Sequence, residues 1–404
     1  MVENERKSKI AAAGRGLLLA GFLLLLAAVP VLMLLIENDS VSWYENRRLA
    51  EVPELTAESV LNGDYFDGWD DYFSDHMVGR DTLCKFYTWL QLRVLGKDIV
   101  NDITIGQDVL LLNAGMGGGN YDYVCDFADR MAAENADFAA YVESMGGEYL
   151  YVGVPHQLSY YAGRCPDYIY NGQAYLGLVR QEVHASLDEL GVANLNMLEV
   201  FDAEGRPAEY YYDTDHHYTI YGAFRTYREI MAALADMGFE LPVLTEEDVT
   251  FRSLPNPFLG TADRKLYGIY GSTYTADYFE LNEPIPYERY DWLSGARTDA
   301  PVFPLPASAE EYTSYSFYMG GDYSRTVIDT GRDGLPNVLV FGDSYTNALE
   351  CILYTSFNEM HSLDMRYYDT MSLREYIAEY RPDVVICVRA DNSYLLETGN
   401  GDLS

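Results

Sequence analysis

The longest apolar run of the chain lies near its N-terminus. Gly16 to Ile36 reads GLLLAGFLLLLAAVPVLMLLI and contains no charge, and a helix of this length spans about 30 Å, the hydrocarbon thickness of a bilayer. No small-x-small cleavage pattern follows, which favours a retained transmembrane anchor over 16–36 rather than a cleaved export signal. By the positive-inside rule, the preceding basic residues predict a cytoplasmic segment 1–15 and an extracytoplasmic location for everything after the anchor. These residues are Arg6, Lys7, Lys9 and Arg15.

Beyond the anchor the pattern changes to that of a folded protein. Residues 37–62 are polar and predict a juxtamembrane stalk, and residues 63–404 predict one extracytoplasmic domain. Amphipathic helical stretches alternate there with short apolar strands such as EYLYVGVP, NVLVFGD and DVVICV. This alternation predicts the α/β class, with a parallel sheet that is covered by helices on both faces. Residues 245–335, rich in Pro, Tyr, Gly and Thr, break the alternation and predict a β-rich insertion.

Composition narrows the class of ligand. The 404 residues carry a formal net charge of −36, so we expect the protein to repel nucleic acid and polyanions and to bind a neutral or cationic ligand. The five cysteines are scattered and form no CxxC pair, which argues against a zinc knuckle or a redox motif. We assign no metal and no cofactor from the sequence.

The stretch YYYDTDHHYTIYGAF concentrates acid–base groups in one place. Asp213 and Asp215 precede the adjacent His216 and His217, and the chain has only six histidines. Histidine is the side chain whose unperturbed pKa lies near neutrality, and a neighbouring carboxylate can orient its ring. The stretch leads into a predicted helix and is the strongest candidate for a functional loop.

A second motif, VLVFGDSYTNAL, places Ser344 where a buried strand turns into a helix. Open α/β sheets bind ligands beyond the carboxyl ends of their strands, and the backbone N–H groups at the helix start face that crevice. Serine is a weak nucleophile unless a base activates it, and the base needs a carboxylate partner. Taken alone, Ser344 could equally be a helix cap, but Asp215 and His217 supply the missing base and carboxylate.

Together the two motifs resemble the SGNH hydrolase group, which pairs a GDS-type serine with an Asp-x-His or Asp-x-x-His motif. The histidine motif precedes the serine motif here, and this permuted order resembles the SGNH-like domains of alginate O-acetyltransferases. More closely, the chain resembles the DHHW protein family of Gram-positive bacteria, whose tetrapeptide reads DHHY at 215–218, with Tyr218 in place of tryptophan. The anchor and the DHMVGRD and VPHQ elements also fit. The resemblance implies an SGNH-like fold with permuted motif order behind one transmembrane helix.

The resemblance also implies a catalytic triad. Ser344 is the expected nucleophile, His217 the general base and Asp215 the acid that orients it. Asp213 stays open as the orienting acid, because the sequence does not settle the geometry of the loop. His216 is expected to face the other way and to pack or hydrogen-bond locally.

Further side chains are candidates for the oxyanion hole and the cleft. The backbone N–H groups of Ser344 and Tyr345 and the side chain of Asn392 are the oxyanion candidates, the last by resemblance to the asparagine of SGNH enzymes. Residues that could line the cleft or touch substrate are His156, His76, Arg80 and Tyr218.

The function implied is a membrane-tethered serine O-acyltransferase or acylesterase that acts on a cell-surface polysaccharide. By the same resemblance, a separate multi-pass membrane O-acyltransferase could deliver the acyl group. Two alternatives stay open. DHH is also a signature of manganese-dependent phosphoesterases, although no upstream set of acidic strand ends accompanies it here. A protein that keeps the fold without catalysis would instead be a glycan-binding or scaffold protein.

Overall fold

A computed structural model describes residues 2–35, 40–45, 47–113, 120–170, 172–272, 274–293, 296–298 and 300–404. The described helices are α1 Val2–Leu35, α2 Ala57–Asn62, α3 Asp64–His76, α4 Arg80–Trp89, α5 Tyr121–Ser144, α6 Gln157–Tyr160, α7 Gln173–Glu189, α8 Met197–Ala203, α9 Ile220–Asp236, α10 Thr261–Lys265, α11 Thr346–Leu353 and α12 Leu373–Tyr380. The described strands are β1 Val41–Ser42, β2 Arg47–Arg48, β3 Ile99–Val100, β4 Ile103–Gly106, β5 Val109–Leu112, β6 Glu148–Val154, β7 Asn194–Asn196, β8 Val249–Ser253, β9 Asp277–Leu281, β10 Glu288–Leu293, β11 Ala296–Thr298, β12 Arg325–Asp329, β13 Val338–Gly342, β14 Glu359–Leu363 and β15 Val384–Ala390. The chain divides into two compact units, residues 1–97 with 264–269 and residues 98–263 with 270–404.

The first unit begins with helix α1, which contains most of the predicted anchor. Its stretch Ala12–Met33 has a mean hydropathy of 2.6 and is, by length and composition, able to cross a membrane. Ile36, the last residue of the predicted anchor, lies outside the described residues, as do residues 37–39 and 46 of the predicted stalk. The described part of that stalk contains the antiparallel pair β1–β2 and helix α2. Thr56 and Ser59 form a capping box that begins α2, so this segment has local structure of its own.

The second unit is built on a mixed sheet. Among the described residues the sheet has eight strands, in the order β11-β10-β12-β14-β13-β15-β6-β7. Strands β14, β13, β15, β6 and β7 run parallel, and β12, β10 and β11 join antiparallel at one side. The central strands β13 and β15 are buried along their whole length, as parallel strands covered on both faces are. The predicted α/β class is confirmed.

Successive side chains of the central strands enter two different cores. Val338 and Val340 of β13 pack into a core that also contains residues of α8, α9 and α11. Leu339 and Phe341 of the same strand enter a second core, with residues of α5, α7 and α12. The alternation follows from the two-residue period of a strand. Helices therefore cover both faces of the sheet, as the sequence predicts.

The stretch predicted to be a β-rich insertion, 245–335, contains strands β8 to β12 and the short helix α10. Strands β8 and β9 pair with each other in a separate antiparallel sheet. Strands β10, β11 and β12 instead extend the central sheet, because β12 bonds to β14 along its whole length. The stretch thus supplies edge strands to the α/β framework.

Candidate active site

The serine motif lies at the carboxyl end of β13. Asp343, Ser344 and Tyr345 form the turn between β13 and α11, and Asp343 Oδ1 accepts a hydrogen bond from the Tyr345 N–H at 3.1 Å. A Cβ on Gly342 would lie 2.3 Å from the carbonyl oxygen of Val388 on β15. Only glycine therefore allows the two strands to approach this closely at the point where the serine leaves the sheet. Ser344 is half-buried.

The histidine motif forms a bend that neighbouring segments hold from both sides. Tyr211 and Tyr218 close it with an isolated β-bridge, and Thr219 caps the following helix α9 through its side chain. Gly260 approaches from the other side, where a Cβ would lie 2.3 Å from the Thr214 carbonyl oxygen. This close approach allows the Thr261 N–H to donate to Asp215 Oδ2 at 2.6 Å.

The two motifs meet in a continuous chain of hydrogen bonds. His217 Nδ1 lies 2.6 Å from Asp215 Oδ1 and His217 Nε2 lies 2.7 Å from Ser344 Oγ. Because a carboxylate only accepts, Nδ1–H donates to Asp215, and Nε2 is left to accept from the serine hydroxyl. Burial alone raises the pKa of Asp215, but the charge and hydrogen bond of His217 outweigh it and hold that pKa below its usual range. This arrangement can activate an oxygen nucleophile.

Asp213 occupies a different environment. Its carboxylate accepts a hydrogen bond from the Ser272 hydroxyl at 3.0 Å, and burial raises its pKa. Its carbonyl accepts from the Leu110 N–H at 2.7 Å. The carboxylate that is hydrogen-bonded to His217 is that of Asp215, so the structure separates two aspartates that the sequence leaves as alternatives.

His217 is stacked between two other rings. Tyr315 lies parallel to it, with a centroid distance of 3.7 Å and an interplanar angle of 5°. The ring of His216 lies against it at 3.8 Å with a tilt of 38°, and His156 stacks on His216 at 5.8 Å. The sequence analysis expects His216 to face away from His217. This expectation is wrong, because the two rings are in contact. Residues 213–217 form a bend rather than a strand, and side chains alternate in direction only along a strand.

Beside Ser344 lies a cavity of about 250 Å³. The two imidazole rings that line it are His216 and His156, although His156, like His217, is almost wholly buried. Asn392, the predicted oxyanion asparagine, is exposed and also lines this cavity. A ligand in the cavity would therefore touch His216 and His156 as well as the serine.

The backbone donors at the start of α11 are not equivalent. The N–H of Tyr345 donates to Asp343. Of the two backbone N–H groups predicted for the oxyanion hole, that of Ser344 is therefore the one not bonded to this carboxylate. The Tyr345 hydroxyl donates to the carbonyl of His216, and Tyr218 donates to the carbonyl of Tyr345. Tyr218 is fully buried. It lies in the core, where it connects the histidine and serine motifs.

His76 and Arg80, the remaining predicted cleft residues, belong to the first unit. His76 Nε2 lies 2.8 Å from the carbonyl oxygen of Ala50, which indicates an Nε2–H donor. Arg80 pairs with Glu45 at 2.5 Å and with Asp81 at 3.6 Å. All of these contacts lie within the first unit, where they support its fold.

The histidine motif could also hold a metal ion. Within the described residues, one ligand atom from each of Asp215, His216 and His217 lies within 4.8 Å of the others. Both oxygens of Asp215 already accept hydrogen bonds, one from His217 and the other from Thr261. A metal at this position would compete with the hydrogen bonds that orient His217.

Two residues that the sequence reasoning missed are Tyr315, which stacks on His217, and Arg389, which lines the cavity. Tyr315 belongs to no motif, and it is one of 37 tyrosines, so no signal in the sequence distinguishes it. Arg389 is nearly inaccessible and donates to the carbonyls of Ser393 and Leu396. It thereby shapes the loop that carries Asn392. An arginine at the end of an apolar strand is unusual, and this position in the sequence could have indicated that Arg389 has a role at the site.

The buried His156 predicts an acid-sensitive stability. Burial lowers its pKa to about 3, while the unfolded chain titrates near 6.5. The unfolded state therefore binds more protons between these values, and stability is lost as the pH falls from about 6.5 to 3, by up to about 1.4 kcal/mol per pH unit. We expect the free energy of unfolding of His156→Asn to rise relative to that of wild type as the pH falls.

This expectation is checked by urea denaturation at a series of pH values. Asparagine can still cap the Leu158 N–H, which His156 Nδ1 accepts at 3.2 Å, and it does not titrate. A difference between wild type and His156→Asn that stays constant from pH 7 to pH 4 would contradict the assignment.

Comparison with known proteins agrees with this geometry. Residues 126–267 match the family described as ALGX, the SGNH hydrolase-like domain of acetyltransferase AlgX. The matched stretch includes Asp215 and His217 and ends before Ser344. No curated protein matches the chain in sequence.

Solved structures share the fold of this chain. PatB1 of Bacillus cereus, solved with a sulfonyl adduct, is 20% identical with a TM-score of 0.60, over 72% of this chain and 94% of that chain. A DHHW family protein of Eubacterium siraeum is 19% identical with a TM-score of 0.52, over 73% of this chain and 93% of that chain. The resemblance to the SGNH group and to the DHHW family, which the motifs predict, is therefore confirmed at the level of the fold.

Proposed function

We propose that the protein is a membrane-anchored, extracytoplasmic serine O-acyltransferase or acylesterase that acts on a cell-surface polysaccharide. The observation that carries the proposal is the hydrogen-bonded series Ser344, His217 and Asp215, which opens onto the cavity beside Ser344. The acetyltransferase that gives its name to the matching family supports acyl transfer as the reaction class. Helix α1 is the proposed anchor, with its N-terminus in the cytoplasm.

In the proposed reaction, Ser344 Oγ attacks the carbonyl carbon of an acyl ester while its proton passes to His217 Nε2. The Ser344 N–H and Asn392 are the proposed donors to the oxyanion of the tetrahedral intermediate. As the intermediate breaks down, His217 gives the proton to the departing alcohol and leaves an acyl-serine. A sugar hydroxyl or water then attacks this ester, its proton passes to His217, and the proton returns to Ser344 Oγ as the acyl group leaves. Asp215 orients the His217 ring throughout and stabilises the imidazolium each time it forms.

The electrostatics of the chain favour a particular kind of acceptor. With a net charge of −36, the protein repels polyanionic glycans, so we propose a neutral or cationic polysaccharide. A multi-pass membrane O-acyltransferase is the proposed acyl donor, on the resemblance to the alginate system alone. Transfer rather than hydrolysis requires that water be kept from the acyl-serine. Tyr315, from the 245–335 stretch, covers one face of His217, and we propose that this stretch helps to exclude water from the site.

Hydrolysis of p-nitrophenyl acetate by the full-length chain in detergent tests the reaction class. We expect release of p-nitrophenol that a sulfonyl fluoride stops, with the sulfonyl group located on Ser344 by mass spectrometry. Activity that survives excess chelator would exclude a metal-dependent phosphoesterase. Addition of candidate glycans then distinguishes transfer, in which the acetyl group appears on the sugar, from release of acetate. Absence of both ester cleavage and labelling would favour a non-catalytic glycan-binding protein.

Tyr315 is expected to stabilise the protonated form of His217, the proposed base. The face of an aromatic ring stabilises a cation, so its parallel stacking on His217 favours the imidazolium. We expect Tyr315→Leu to lower kcat by up to about tenfold, because the imidazolium that forms in the transition state loses the stabilisation of the stacked ring. Steady-state hydrolysis of p-nitrophenyl acetate measures this loss.

Tyr315→Phe is the matched control for this variant. It keeps the ring over His217 and removes only the hydroxyl, so its kcat should stay near that of wild type. Equal losses of kcat in the leucine and phenylalanine variants would show that the hydroxyl, and not the stacked ring, supports the reaction.

A further inference from the structure

The helical segment 80–94 of the first unit presents its apolar side to the outside. It consists of α4 and a π-helical turn, Leu90–Val94. Large apolar residues recur along it at spacings of three and four, the period of one helix face; they are Leu83, Phe86, Tyr87, Leu90 and Val94. Leu90 is half-buried, and the other four are between 52% and 60% exposed. We call these five residues the outer apolar face.

The two residues of the same segment that are buried are both polar. Thr88 is 1% exposed and Gln91 is 7% exposed, and Gln91 Oε1 accepts a hydrogen bond from Lys97 Nζ at 2.8 Å. A helix of a water-soluble domain normally turns its apolar side inward and its polar side to solvent. Segment 80–94 instead exposes large apolar side chains while it buries polar ones, which marks the outer apolar face as a surface that another body covers.

The charges along the segment indicate what covers it. Residues 80–97 contain four basic side chains and one acidic side chain, in a chain whose net charge is −36. Lys85 and Arg93 are exposed, as is Trp89. The preceding helix α3 carries five aspartates, so the basic character is confined to the segment with the outer apolar face. Salt screens charges beyond about 10 Å, so the basic side chains of the segment itself act on whatever lies against it.

We propose that the outer apolar face lies on the surface of a bilayer that contains anionic lipid. Apolar and aromatic side chains flanked by Lys and Arg are the pattern of helices that lie in the interface between water and lipid. The first unit also contains α1, which is long and apolar enough to cross a membrane. If α1 spans a bilayer, the segment 80–94 of the same unit is tethered to that bilayer. The proposal does not depend on the chemistry of Ser344.

Tryptophan fluorescence of the full-length chain in nanodiscs tests this surface. The chain has four tryptophans, and the difference between wild type and Trp89→Phe isolates the emission of Trp89. We expect this component to lose intensity in nanodiscs whose phosphatidylglycerol and phosphatidylcholine carry brominated acyl chains, compared with unbrominated discs. Trp69 on the acidic helix α3 supplies the matched control, and the Trp69→Phe difference should be the same in both discs.

Replacement of the flanking charges tests the contact with anionic lipid, and a second, water-soluble quencher distinguishes lipid from water and from protein. Lys85→Glu with Arg93→Glu changes two exposed side chains and should abolish the bromine quenching of Trp89 in anionic discs. Quenching of Trp89 by acrylamide but not by brominated lipid would place it in water and overturn the proposal. Protection from both quenchers would also overturn it, because the face would then be covered by protein.

Discussion

Ser344→Ala is expected to lower kcat for ester hydrolysis by about 10⁴-fold or more, because it removes the atom that forms the covalent intermediate. Ser344 Oγ is the only serine oxygen bonded to His217 among the residues that the structure describes. Its loss leaves the oxyanion donors and the cavity in place, so binding of the ester should change little. Steady-state hydrolysis of p-nitrophenyl acetate, compared with the rate without enzyme, measures the effect.

Ser393→Ala is the matched control, since Ser393 lines the same cavity. Its hydroxyl donates to the carbonyl of Ala390 at 2.8 Å and not to a histidine, so kcat should stay near that of wild type. Comparable losses in both variants would mean that the cavity as a whole, rather than the Ser344 hydroxyl, supports the reaction. Full activity in Ser344→Ala would contradict the assignment of Ser344 as the nucleophile.

Asp215→Asn is expected to lower kcat by about 10⁴-fold, because an amide does not stabilise the imidazolium and favours the wrong tautomer of the histidine. Asp215 Oδ1 accepts from the His217 side chain at 2.6 Å and from its backbone N–H at 3.1 Å. Asparagine has nearly the same shape and could keep the bond from Thr261, so the loop should stay folded. Its NH2 group would then face the His217 N–H, so the thermal midpoint should fall while the protein stays folded at the assay temperature, where the loss of kcat is measured.

Asp213→Asn tests the other aspartate of the motif. Asp213 bonds to Ser272 and carries a pKa that burial raises, so asparagine suits its surroundings. We expect kcat within a few-fold of wild type for this variant, measured beside Asp215→Asn in the same assay. If Asp213→Asn proves the inactive variant of the two, the hydrogen bond between Asp215 and His217 is not the one that matters for catalysis.

Local patterns along the chain predicted much of what the structure contains. The alternation of helices and strands, the burial of β13 and β15, and the strand–turn–helix context of Ser344 follow from short-range periodicity, which a single sequence displays directly. The direction of the His216 side chain was predicted wrongly: adjacent side chains point to opposite sides along a strand, whereas residues 213–217 bend. The acid that orients His217 stayed open for a related reason, since two aspartates two residues apart look alike until the bend is known.

By itself, the sequence determined which residue types stand at strand ends and which run is apolar enough to cross a membrane, because these properties depend on neighbours along the chain. Only the tertiary structure decided which residues meet. The bond between His217 and Ser344 joins positions 127 residues apart, and the ring of Tyr315 reaches His217 from a third segment. Contacts at such separations depend on how buried surfaces pack together. The outward apolar side of segment 80–94 likewise becomes visible only when burial is known, since its periodicity alone would place it in a core.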